Sequence, residues 1–213
     1  MKLDIDYRIH SQPKGIVIYI HDGGWFEGDK NDPRNLHFIE AIYSKGYSVV
    51  NANHRLEEFP NPVNDIMNVI NYFVKLTDNL IVIGESSGGH LSLLSNLILE
   101  KEGKPSAKRI ICISTPVDLY SPSLKKDAIE VISKFNQSNC KLACPTYFLK
   151  KHNLKLKSTV DFIHSENDFI PIETIKNIVK LLPNSNLYIS NSITTNPHSI
   201  SDEDIIVNIS NIL

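Results

Sequence analysis

The sequence predicts an α/β protein built on a mostly parallel sheet of about seven strands, with helices on both faces. Three observations predict it. Apolar runs of strand length alternate with longer stretches of helical periodicity. Most of these runs are continuously apolar, as strands buried on both faces are. The 213 residues, 41% of them apolar, suffice for one sizeable core and not for two. We expect a single domain over residues 1–213.

The elements follow in order. "KLDIDYRI" alternates apolar and polar residues, the pattern of a half-exposed strand. "QPKG" breaks the chain and "IVIYI", from Ile16, is a buried strand. Asp32 and Pro33 open a helix, a capping side chain followed by proline in the first turn; it runs to about Lys45 and stops at Gly46. "YSVVNA" is the next strand, and the turn-rich "NHRLEEFPNP" leads into a helix through "VNDIMNVINYFVKL". Strand "LIVIG", a helix from about Ser87 to Glu102, and strand "RIICIS" continue the alternation. Residues 116–157 break it: they hold Pro116, Pro122, Pro145 and one amphipathic stretch, "LKKDAIEVISKF", and read as a short lid or excursion. Strand "TVDFIHS", helix "IETIKNIVKLL", strand "NLYIS" and helix "SDEDIIVNISNIL" close the chain, the last with three acidic residues at the positive end of its dipole.

Composition excludes several functions. A formal net charge of −2 gives no reason to expect nucleic acid or an anionic membrane as partner. No segment reaches the roughly 18 apolar residues of a membrane span, and the N-terminus lacks a signal peptide's apolar stretch. Three cysteines are no disulfide framework and suit a reducing compartment, so a cytoplasmic location is expected. Cys140, Cys144 and His152 match no common zinc spacing and lack a fourth ligand, so no metal is expected.

Four motifs carry chemistry. Gly84-Glu85-Ser86-Ser87-Gly88 fits G-x-S-x-G and lies between a buried strand and an apolar helix, the setting of a nucleophile elbow centred on Ser86. "HDGGW", His21 to Trp25, follows strand "IVIYI", where glycine-rich backbone can turn N–H donors inward. It resembles the H-G-G-G-W type oxyanion motif of the α/β-hydrolase superfamily, in its hormone-sensitive-lipase-like, carboxylesterase and kynurenine-formamidase-like branches. "NHRLEEFPNPVNDI" (53–66) and "HSENDFIP" (164–171) resemble that group's intervening and acid-bearing segments, and the order of the four motifs matches.

The resemblance implies an α/β-hydrolase fold and a Ser-acid-His triad. It places the acid at Asp168, which also lies just beyond the C-terminal end of a predicted parallel strand. Glu166 is a close rival, whereas Asp161 sits at the strand's other end. The order serine, acid, histidine leaves His198 as the base, the only histidine after Asp168. Backbone N–H groups of Gly23, Gly24 and Ser87 form the implied oxyanion hole. His21, His90 and His164 read as structural, Arg55 as an ion-pair partner, and Trp25 as either a pocket wall or a core residue.

Two departures stand out. Asp22 replaces the first glycine of the triplet and puts a carboxylate near a site for negative charge; the hole survives if that side chain turns away or meets a donor. Only one strand precedes the oxyanion strand and the excursion is short, which favours small esters with short acyl groups. The expected activity is hydrolysis of a small-molecule ester, with no cofactor. An amidase or arylformamidase of the kynurenine-formamidase type would use the same groups, and a catalytically retired fold acting as a binding module is the reading from another class.

Overall fold

The computed structural model describes residues 3–191, 194 and 198–213. Its sheet has seven strands: β1 (Ile5–Arg8), β2 (Ile16–Ile20), β3 (Ser48–Ala52), β4 (Leu80–Glu85), β5 (Arg109–Ile113), β6 (Thr159–Ser165) and β7 (Ser185–Ser190). They lie in the order β1-β3-β2-β4-β5-β6-β7. β1 runs antiparallel to β3, and every other neighbouring pair is parallel.

The continuous apolar runs explain the layering. In β2, Val17 and Tyr19 point into one core with Phe38 and Ile42 of α1 (Pro33–Ser44) and Ile205 and Ile209 of α7 (Asp202–Ile212). Ile18 and Ile20 point into the other core, which α2 (Asn61–Phe73), α3 (Ser87–Lys101) and, over the far strands, α6 (Ile172–Val179) cover. Both faces are therefore covered, as the sequence predicts. β1 differs: beyond Ile5 its residues are exposed, because it forms the sheet's edge.

Local signals fix the ends. Asp32 caps α1 by accepting from the Arg34 N–H at 2.9 Å, with Pro33 at the first helical position. Ser201 caps α7 in the same way, accepting from Asp204 N–H at 3.2 Å. α6 stops at Val179, short of the predicted Leu182. Leu181 and Leu182 instead donate i→i+3 bonds to Ile178 O and Val179 O, and Pro183 disfavours helical geometry at Leu182.

The excursion is more ordered than one amphipathic stretch. It holds α4 (Lys126–Phe135), a 3-10 turn (Lys141–Ala143) and α5 (Pro145–His152). α5 starts with proline and buries Phe148 and Leu149. Cys144, just before it, bonds backbone groups of Leu119 and Val117, and burial pushes its thiol up to about 11. Among the described residues no helix is long and apolar enough to cross a membrane.

Candidate active site

The loops at the C-terminal ends of β2, β4 and β6 converge with the segment preceding α7. Ser86 sits between β4 and α3 with φ 49° and ψ −116°, a conformation that strains any residue with a side chain. The surroundings hold it there. Its N–H donates to Ile113 O at 2.8 Å, and its carbonyl accepts from His90 N–H at 3.0 Å. The flanking glycines are required by close approach: a Cβ on Gly84 would lie 2.3 Å from the Gly88 carbonyl, and one on Gly88 2.3 Å from Ile20 O. Both obstacles are backbone and cannot step aside. Gly84→Ala should therefore lower the unfolding free energy by about 2–3 kcal/mol, measured by denaturant titration.

Asp168 lies beyond the end of β6, buried, with Oδ1 accepting from Ile170 N–H at 2.8 Å. His198 brings Nδ1 to 3.2 Å from both carboxylate oxygens. Burial alone would pull the His198 pKa down; the Asp168 hydrogen bond and charge, with Glu85 and Asp22 adding, outweigh it and raise the pKa above the ordinary imidazole value. Glu166 is exposed. Asp161, at the opposite end of β6, is bonded to Arg109 and Asn186. His164 lies on the other side of Asp168, Nδ1 to Oδ2 3.9 Å, with Nε2 held by Ile170 O at 3.0 Å. Burial, partly opposed by Asp168, lowers its pKa.

The "HDGGW" loop curls because three successive residues take positive φ: Gly23 at 118°, Gly24 at 59° and Trp25 at 70°. Gly23 has no alternative, since a Cβ there would lie 2.0 Å from Glu27 O. Trp25 holds its left-handed conformation through packing: it stacks on Phe135 at 4.3 Å, and its indole N–H donates to His90 Nδ1 at 3.3 Å. His90 Nε2 then bonds Ala143 O at 2.8 Å, so β2's loop, α3 and the excursion are tied together. Trp25 serves both readings, being 2% exposed and also lining the cavity. His21 stacks on His54 at 4.7 Å, and burial, with His21 beside it, holds the His54 pKa down at about 4. Arg55 makes a two-pronged pair with Asp65, 2.8 Å on each arm.

One cavity of about 400 Å3 is lined by Ser86, His198, Gly23, Gly24 and Trp25, with Ala128, Val131 and Ile132 of α4 as its apolar wall. Beside it lies a charge cluster whose connectivity the sequence does not reveal. Arg34 grips Glu85, the residue before Ser86, with bonds of 2.7 and 2.8 Å. It also bonds Asp202 at 2.8 Å and lies 3.6 Å from Asp22. The Asp22 carboxylate thus meets a cation. Glu85 was visible as the second residue of G-x-S-x-G, but nothing marks Arg34, 51 residues away, as its partner. Among the described residues no three histidine, cysteine or acidic side chains converge to hold a metal.

Comparison with known proteins gives this geometry a context. The BD-FAE family profile matches residues 3–200. The chain belongs to the BD-FAE family. The BD-FAE chain has the α/β-hydrolase fold, and solved structures share it at low identity. Esterase Est22 aligns with a TM-score of 0.79 at 20% identity, over 98% of this chain and 75% of its own. A hyperthermophilic esterase from Pyrobaculum calidifontis aligns at 0.76 and 20%, over 94% and 76%. Carboxyl esterase 2 from Tuber melanosporum aligns at 0.77 and 19%, over 94% and 78%. No curated protein sequence matches it.

Proposed function

We propose that the protein is a serine hydrolase of small carboxylic esters, working through an acyl-enzyme. The observation that carries this is the strained Ser86 at a strand-to-helix elbow, opening on the same cavity as His198, whose ring is held from behind by Asp168. The structural neighbours named as esterases support it. Ser86 Oγ attacks the ester carbonyl while His198 Nε2 takes its proton; the C–O bond to the alcohol then breaks and His198 returns the proton to the leaving oxygen. Asp168 fixes the tautomer with Nδ1–H and stabilises the imidazolium. Water, deprotonated by His198, releases the acid.

The N–H groups of Gly23, Gly24 and Ser87 serve as the oxyanion donors. Asp22 leaves that role intact because Arg34 engages its carboxylate. Ala128, Val131 and Ile132, with Trp25, form an apolar wall suited to a short acyl group. The free cysteines fit a reducing compartment, and on that ground we place the protein in the cytoplasm.

The test is hydrolysis of p-nitrophenyl acetate and butyrate beside N-formylkynurenine, before and after treatment with an alkyl phosphonate ester. Ester turnover is expected, with the phosphonate abolishing it and its mass found on the peptide containing Ser86. Inert esters and an unlabelled Ser86 would overturn the reading, and turnover of the formamide alone would move it to the amidase branch. The pH profile adds a second check. His198 must be neutral to act as base and its pKa is raised, so kcat/KM should be lost as pH falls through a value above the roughly 6.5 of free imidazole.

A further inference from the structure

We propose that β1 is the contact of a two-fold homodimer, pairing antiparallel with β1 of a second copy about Tyr7. Among the described residues β1 pairs with β3 alone, so its other edge is open. Asp4 O accepts from Asn53 N–H, and His10 N–H donates to Ser48 Oγ. Even-numbered residues therefore direct their backbone groups at β3. Ile5, Tyr7 and Ile9 turn theirs outward, the Ile9 carbonyl taking only a long bond of 3.5 Å from Tyr43.

The side chains that β1 turns toward α2, Ile5, Tyr7 and Ile9, are apolar. Tyr7 is 67% and Ile9 69% exposed, and beside them stand Tyr72 at 55% and Leu76 at 59%. Together they border a groove of about 660 Å3 between β1 and the end of α2. A large apolar surface along an open strand edge is what soluble proteins cover or charge.

Charge selects both the occupant and the register. The two-fold can pass through any residue of the strand, but centring on Asp6 or Arg8 sets that charge against its own copy. Centring on Ile5 sets Asp4 against Asp6, and centring on Ile9 sets Arg8 against His10. Centring on Tyr7 sets Asp6 of each copy against Arg8 of the other, twice by symmetry, and places Ile5 against Ile9. Opposite charges directly across a strand pair favour that register, and no other register sets both Asp6 and Arg8 against an opposite charge. The strand is self-complementary, which is the requirement of an isologous interface. Within one chain Asp6 meets Lys30 at 3.2 Å and Arg8 meets Glu40, so the cross-copy pairs extend a network already present.

The test is molar mass by size-exclusion chromatography with light scattering at tens of micromolar, on the full chain. Wild type is expected as a dimer. Tyr7→Pro removes one outward N–H and no bond to β3, and is expected to be monomeric with an unchanged circular-dichroism spectrum. Asp6→Arg and Arg8→Asp should each be monomeric alone, because each sets like charges across the two-fold. Mixed in equal amounts they should form a heterodimer, since every facing pair is then opposite in sign. This last arm carries the test should the proline variant misfold. A monomeric wild type, a dimer that survives Tyr7→Pro, or folded charge variants that stay apart when mixed would overturn the proposal.

Discussion

Replacing Ser86 with alanine is expected to cut kcat for p-nitrophenyl butyrate by about 10⁴- to 10⁶-fold, because no group remains to carry the acyl intermediate. Stability should barely move. Alanine retains the Cβ that strains φ at 49°, and only the hydroxyl is lost. Ser86→Gly should be equally inactive but about 1 kcal/mol more stable than wild type, the relief of strain exceeding glycine's entropic cost. That pairing of lost activity with gained stability marks a residue held in place for chemistry. Ser87→Ala is the control: its hydroxyl is buried without a partner among the described residues, and alanine keeps the backbone N–H that matters, so kcat should stay within a few-fold. Asp168→Asn should cost about 10⁴-fold, since the amide no longer fixes the tautomer of His198. Steady-state kinetics with denaturant midpoints read all four. If Ser86→Ala kept more than a tenth of wild-type turnover, the nucleophile would lie elsewhere.

Much of this site was legible because its determinants are local. The glycines at 84 and 88 encode a turn whose crowding is backbone against backbone, and such crowding leaves a mark in sequence. Asp32–Pro33 announced α1 for the same reason. The alternation of apolar runs gave the sheet its faces, since burial on both sides demands continuous apolar strands. What was hidden is relational. α5 was missed because its eight residues show little amphipathic contrast before a basic end. Its stability comes from packing that local sequence does not display. Arg34 reads as an ordinary helix residue, and only the fold brings it to Glu85. The fate of Asp22 could be posed from the sequence as a question, and Arg34 supplies the answer.

Arg34→Met should then be the most destabilising single change near the site. Glu85 is 1% exposed, and both its carboxylate oxygens are bonded to that guanidinium. Removing the cation leaves a buried carboxylate uncompensated, at a cost of about 3–5 kcal/mol near neutral pH. The sign of the pH dependence follows. Burial already raises the Glu85 pKa despite Arg34, and without Arg34 it rises further. A carboxyl with a folded pKa above its unfolded value loses stability as pH climbs from the unfolded to the folded pKa. The variant should therefore lie closest to wild type in acid and fall behind towards neutrality. Adding Glu85→Gln removes the charge that needed a partner, so the double variant should recover much of the loss at neutral pH and lose its extra pH dependence. Activity provides an independent reading. Arg34 also engages Asp22 within the His21–Trp25 loop and Asp202 at the start of the helix after His198. In the stabilised double variant kcat should still fall by about tenfold, or 1.4 kcal/mol in barrier, because Asp22 is free to oppose the developing oxyanion. Asp22→Gly in that background should restore most of it. Restored stability with no rescue by Asp22→Gly would confine Arg34 to holding Glu85.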